Sequence, residues 1–154
     1  MEPTIDNRRV LAVSSGGGHW VELLRLMPAF DGARLTFVTV NRSYRSDVVD
    51  HRFRLINDAT RWNRVALALM AFRILLIVLR ERPHVIVTTG AAAGYFALRF
   101  GRWIGARTIW VDSIANVEEL SMSGQMAREC ADLWLTQWPH LASAQGPEYA
   151  GAVL

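Results

Sequence analysis

The chain has 154 residues and not one lysine; all 17 basic side chains are arginine. Set against 14 acidic residues they leave a formal charge of +3, dispersed along the chain and not gathered in a block. Arginine forks bind phosphates and anionic headgroups. A modest, scattered charge suits a membrane surface or a phosphorylated ligand better than a nucleic-acid groove, so no nucleic-acid partner is expected. Cysteine is nearly absent as well. Cys130 stands alone, which excludes a disulfide within the chain and points to a reducing compartment. In its apolar helical setting it reads as a small buried residue. Cys/His clusters with metal spacing and D-x-D pairs are also missing, so neither a metal nor a cofactor is expected.

A run long enough to cross a bilayer is the next absence. The most apolar stretch, "WNRVALALMAFRILLIVLRERP" from Trp62 to Pro83, is broken by Arg73 within Val65–Leu79. A spanning helix needs about 20 mainly apolar residues, and a central arginine costs roughly 2.5–3.5 kcal/mol on insertion. Two readings stay open. The stretch is the buried helix of a crossover, or it lies in the membrane interface with Arg61, Arg64, Arg80 and Arg82 reaching lipid phosphates. The second is favoured, with Trp62 and Trp103 as interfacial anchors beside arginine. The opening "MEPTIDNRR" has no apolar core of the signal-peptide kind, which predicts a cytoplasmic protein.

What is present is a regular alternation. Strands are expected at Arg9–Ser14, Arg34–Val40, Phe53–Ile56, His84–Thr89, "RTIWVDS" and "DLWLTQ", because these runs are short, apolar and rich in β-branched residues. Helices are expected at His19–Met27, within 62–82, at Ala91–Ile104 and at Ser123–Ala131. Asn41–Arg52 reads as a polar loop or short helix, and the tail after Pro139 as irregular. Strand and helix in turn give a Rossmann-like, doubly wound parallel α/β sheet in a single domain, 1–154.

Parallel sheets bind ligands at the carboxyl ends of their strands, and three turns fall there. "SSGGGHW" places Gly16, Gly17 and Gly18 between the first strand and a helix, where free N–H groups and the helix dipole cradle an anion. The turn lacks the spacing of a dinucleotide fingerprint and the lysine of a P-loop. His19 would stand beside the cradle, able to accept a proton from a hydroxyl, since imidazole is the side chain that titrates nearest neutrality. "TTGAAAGYF" repeats the device with Gly90 and Gly94. "DSIANVEEL" adds Asp112, Ser113 and Asn116.

These stretches, with the "SxSG" of Ser121, Ser123 and Gly124 and the "QWP" of Gln137–Pro139, resemble the Alg14 and bacterial PssD/EpsE-type glycosyltransferase subunits. More distantly they are similar to the N-terminal half of MurG. The resemblance covers roughly Val10 to Pro139. It implies the acceptor domain of a GT-B glycosyltransferase split over two chains. This chain would be the membrane-associated subunit, at the cytoplasmic face of the inner membrane and peripheral or monotopic. An Alg13-like (PssE/EpsF-type) partner would carry the UDP-sugar site, and the chain would be inactive without it. The acceptor would be a polyprenyl-diphosphate-linked sugar, in exopolysaccharide, capsule or lipid-linked oligosaccharide synthesis. Gly16, Gly17, Gly18, Gly90 and Gly94, with Ser113 and Asn116, would meet the diphosphate and acceptor; His19 and Asp112 are the candidates for activating it. The family's Glu-Ser-Phe-x-Arg is Asp112-Ser113-Ile114-Ala115-Asn116 here, a departure that bears on the acceptor contacts. The tail near 140–154 would dock the partner. Two rivals remain: a non-catalytic membrane anchor, and a self-contained small-molecule Rossmann enzyme.

Overall fold

A computed structural model describes residues 7–153; residues 1–6 of the opening stretch and Leu154 of the tail lie outside the described residues. Seven strands form one sheet: β1 (Arg9–Val13), β2 (Arg34–Thr39), β3 (Arg52–Leu55), β4 (Val85–Thr88), β5 (Arg107–Val111), β6 (Leu133–Thr136) and β7 (Glu148–Tyr149). They run parallel in the order β3-β2-β1-β4-β5-β6-β7. Four α-helices join them: α1 (Gly18–Leu26), α2 (Arg64–Glu81), α3 (Ala91–Trp103) and α4 (Met122–Met126). The strand order reverses between β1 and β4, the position at which α/β sheets open a crevice.

Both faces of the sheet are covered, which is why its strands read as near-continuous apolar runs. Leu11, Val13, Val38 and Ile86 pack beneath α2 and α3 with Met70, Ile74, Val78, Ala97 and Leu98. The alternate residues Val10, Ala12, Leu35, Phe37 and Val87 pack against Trp20 and Leu23 of α1. Cys130 is 1% exposed in the first of these layers, and burial pushes its thiol up from the ordinary value. Two elements differ from the sequence reading. The expected helix at Ser123–Ala131 is α4 followed by a 3-10 turn at Ala127–Glu129. The tail after Pro139 is not irregular throughout, because Glu148 and Tyr149 add β7 alongside Leu135 and Thr136.

Helix α2 begins where the Asn63 side chain accepts from the Ala66 N–H at 3.0 Å. It ends where Arg82 turns left-handed (φ 45°) and Pro83 forbids continuation. Only one stripe of it, Met70, Ile74, Val78 and Glu81, is buried. Along the other side Val65, Leu69, Phe72, Leu76 and Leu79 recur at alternating steps of four and three, and all are exposed, as is Trp62 just ahead. The helix is therefore not apolar all round because it is buried all round. Among the described residues no helix is long and apolar enough to cross a membrane.

Glu81 ties the end of α2 to β3. Its carboxylate accepts from Arg54 Nε and Nη2 at 2.9 and 2.6 Å and from Arg52 Nη1 at 3.1 Å. Burial pushes the Glu81 carboxyl up, but the two guanidiniums outweigh it and hold it below its ordinary value of 4.5. A depressed carboxylate stabilises the fold above pH 4.5, and that contribution disappears as pH falls through the folded-state value. Glu81→Gln is expected to lose about 1 kcal/mol at neutral pH, since both arginines remain open to water. In urea titrations the gap between the variant and the parent should close as the pH drops below the ordinary carboxylate range.

Candidate functional site

The reversal between β1 and β4 sets their carboxyl-end turns side by side. Gly17 caps α1 with φ 66°, a left-handed conformation that a side chain resists. Its N–H donates to the Tyr44 hydroxyl at 2.9 Å. Tyr44 stacks on Trp20 with ring centroids 4.9 Å apart, and Trp20 Nε1 donates to Asp47 Oδ2 at 2.9 Å. The Trp20 and Val21 N–H groups turn back to the Gly17 carbonyl. The Gly18 and His19 N–H groups remain as the unused donors of the first turn. Ser15, Gly16, Gly17, Arg42, Tyr44 and Ala91 line an open cleft of 730 Å³ at this corner.

Thr89 clamps His19 at two points across the reversal. Its hydroxyl donates to the His19 carbonyl at 2.6 Å, and its carbonyl lies 2.9 Å from His19 Nδ1. A carbonyl only accepts, so Nδ1 carries the hydrogen, and in the neutral ring Nε2 holds the lone pair. Gly90 makes room for that ring. A Cβ at Gly90 would meet His19 Cε1 at 2.9 Å, and its φ of 131° excludes ordinary side chains. Gly94 stands apart from the cleft: it is buried one turn into α3, where a Cβ would meet Thr88 Oγ1 at 2.1 Å. Its absent side chain lets α3 close on β4.

Asp112 does not orient His19; the Thr89 carbonyl does. The Asp112 carboxylate is 1% exposed and carries four hydrogen bonds. Oδ1 accepts from Trp110 Nε1 at 3.1 Å and Ser121 Oγ at 2.7 Å, while Oδ2 accepts from Asn116 Nδ2 at 3.0 Å and Ser121 N at 3.1 Å. Asn116 therefore closes the loop from within. The Ser113 hydroxyl accepts from the Ala115 N–H at 3.2 Å. Ser121 also caps α4, accepting from the Gly124 N–H at 2.9 Å. Gly124 makes room for this lock: a Cβ there would run into Asp112 Oδ1 and Ser121 Oγ.

Sequence reasoning missed Glu22 and Gln137. Glu22 is 4% exposed; its Oε1 accepts from Ile114 N at 2.7 Å and Gln137 Nε2 at 2.9 Å, while Oε2 is buried without a partner. Gln137 Nε2 also donates to the Asp112 carbonyl at 2.9 Å, and its Oε1 accepts from Val153 N at 2.9 Å. One amide thus joins α1, the loop after β5 and the tail. Gln137 belongs to the "QWP" stretch, but nothing local assigns it a contact. Arg61, Arg64, Arg80 and Arg82 are exposed about the two ends of α2, with Arg61 stacked 4.5 Å over the Trp62 ring.

Gly90→Ala is expected to push the His19 ring off the Thr89 carbonyl and to cost about 1–3 kcal/mol. Chemical denaturation reads the loss, and the His19 ring resonances should shift. An unchanged midpoint with unchanged ring signals would refute the packing role assigned to Gly90.

Three comparisons bear on this geometry. The subunit ALG14 of UDP-N-acetylglucosamine transferase from Yarrowia lipolytica is 26% identical over 91% of this chain and 78% of its own. The same subunit from Eremothecium gossypii is 28% identical over 88% of this chain and 75% of its own. In fold the chain is similar to MurG of Acinetobacter baumannii, with a TM-score of 0.72 at 12% identity over 92% of this chain. It spans 47% of MurG's length, corresponding to the Rossmann-like N-terminal domain of that GT-B protein. Residues 10–153, nearly the whole described chain, match the family described as oligosaccharide biosynthesis protein Alg14 like, and to that family the chain belongs.

Proposed function

We propose that this chain is the acceptor-side, membrane-associated subunit of a two-component, inverting, UDP-sugar-dependent glycosyltransferase acting on a polyprenyl-diphosphate-linked sugar. An Alg13-like partner supplies the nucleotide-sugar site, and the chain does not turn over alone. The product feeds exopolysaccharide, capsule or lipid-linked oligosaccharide assembly, on the cytoplasmic face of the inner membrane. The names of the two relatives support the transferase reading. The observation that carries it is the clamped His19, held by Thr89 with its Nδ1 engaged and its ring against Gly90, between Gly17 and Ala91, which line the glycine-loop cleft.

In this reading the diphosphate sits against the Gly18 and His19 N–H groups, with Arg42 across the cleft. His19 Nε2 takes the proton of the acceptor hydroxyl as its oxygen attacks the anomeric carbon; the bond to the departing UDP breaks on the opposite side. The Thr89 carbonyl stabilises the ring as it becomes imidazolium. Asp112, with Asn116 and Ser113, acts as a positioning residue that holds the loop after β5 in shape. His19→Ala, in a complex that assembles normally, is expected to lower kcat by about 10²- to 10⁴-fold. Wild-type turnover would remove His19 from the chemistry and favour a non-catalytic anchor. Nucleotide binding by the isolated chain in calorimetry would favour a self-contained enzyme.

The exposed stripe of α2 supports membrane docking. Trp62 and Val65 are each 80% exposed and Phe72 is 57% exposed. Eighteen residues of helix form a face about 27 Å long at 1.5 Å per residue. A continuous exposed apolar face with arginines at its ends fits a bilayer interface. The double variant Phe72→Glu/Leu76→Glu should reduce co-flotation with anionic liposomes by about tenfold or more, two large apolar side chains being lost from the contact. The tail has a second part in the proposal: β7 and the strand edge it presents form the docking site for the partner. Removing Tyr149–Leu154 should then abolish co-purification with it.

A further inference from the structure

At the opposite edge of the sheet, where the strands begin, a cleft of 480 Å³ lies between β1, β2, β3 and the end of α2. It is far from the glycine loops, which follow the strands' carboxyl ends, and nothing in the proposed transfer uses it. Its lining is rich in arginine. Arg9 and Arg34 are register partners on adjacent parallel strands, so their side chains leave the same face of the sheet about 4.8 Å apart. Arg52 belongs to the same face, being in register with Thr36, two residues along from Arg34. Arg54, which is not in the lining, pairs with Glu81. Three arginines thus line the cleft with two carboxylates, the buried Glu81 and the exposed Asp50.

The pairing is uneven. Glu81 is occupied by Arg52 and Arg54. Among the described residues no carboxylate lies within 4.0 Å of Arg9 or Arg34. Like charges directly opposite one another on neighbouring strands destabilise a sheet. Here the two like charges stay side by side, and one of them is held in place. Arg9 Nε donates to the Arg82 carbonyl at 2.9 Å, which anchors that side chain at the mouth of the cleft and leaves its terminal nitrogens to other acceptors. A tetrahedral dianion between two such forks would accept from both and relieve the repulsion.

We propose that this cleft is a binding site for a phosphate group, held chiefly by Arg9 and Arg34 with Arg52 at its rim. The phosphate is carried either by a soluble phosphorylated molecule or by an anionic lipid headgroup. Arg9→Gln/Arg34→Gln is the test variant, because among the described residues neither side chain is paired with a carboxylate. In the first arm, inorganic phosphate and pyrophosphate are titrated into the full chain and backbone amide resonances are followed. Shifts at Ala33–Thr36 that the variant weakens by about five- to tenfold identify a soluble ligand. In the second arm, vesicles of phosphatidylcholine are compared with vesicles containing phosphatidylglycerol. A variant that binds the neutral vesicles like the parent but loses about fivefold or more of the preference for the anionic ones identifies a headgroup. Shifts confined to Gly16–His19, or none, together with an unchanged preference for anionic vesicles, would overturn the proposal.

Discussion

The adjacency of β1 and β4 is the constraint on which the rest depends. These strands are far apart in sequence, and α2 must cross the sheet to bring them together. Once they are neighbours, the turn after one necessarily faces the turn after the other. Thr89 then reaches both the backbone and the ring of His19. The same crossing lays α2 on the sheet by a narrow stripe and leaves its opposite side outward. Site and exposed apolar face are two results of one connection.

The loop after β5 is governed by a different arrangement of polar groups. Asp112 is buried with four donors around it, so its charge is offset by geometry and not by water. Glu22 and Gln137 extend this support to the tail through Val153. A buried carboxylate with one oxygen unpartnered is costly to keep, and it persists here between α1 and the loop after β5. The chain's arginines divide between similar duties: Arg52 and Arg54 neutralise Glu81, whereas Arg9 and Arg34 face one another across adjacent strands.

Much of the architecture is legible in the residue pattern. The alternation of β-branched runs with helical stripes points to the parallel α/β class, because a sheet covered on both faces needs apolar residues at every strand position. The glycine turns stand out for a local reason: only glycine readily takes the backbone conformations found at Gly17 and Gly90. His19 is visible by its place next to them. The role of Asp112 is less legible. A carboxylate after a strand reads as available chemistry, and only its neighbours reveal that both oxygens are occupied.

The sequence by itself determined the alternation of the first six strands with helices, the glycine turns after the first and fourth of them and the inability of 65–79 to span a bilayer, since these rest on nearest-neighbour backbone preference and hydropathy. Tertiary structure alone decided which carbonyl orients His19, that Gln137 joins helix, loop and tail, and that Arg9 stands against Arg34. Each of these is a contact between segments distant in the chain. Such contacts follow from strand order and register, and no local pattern of residues encodes them.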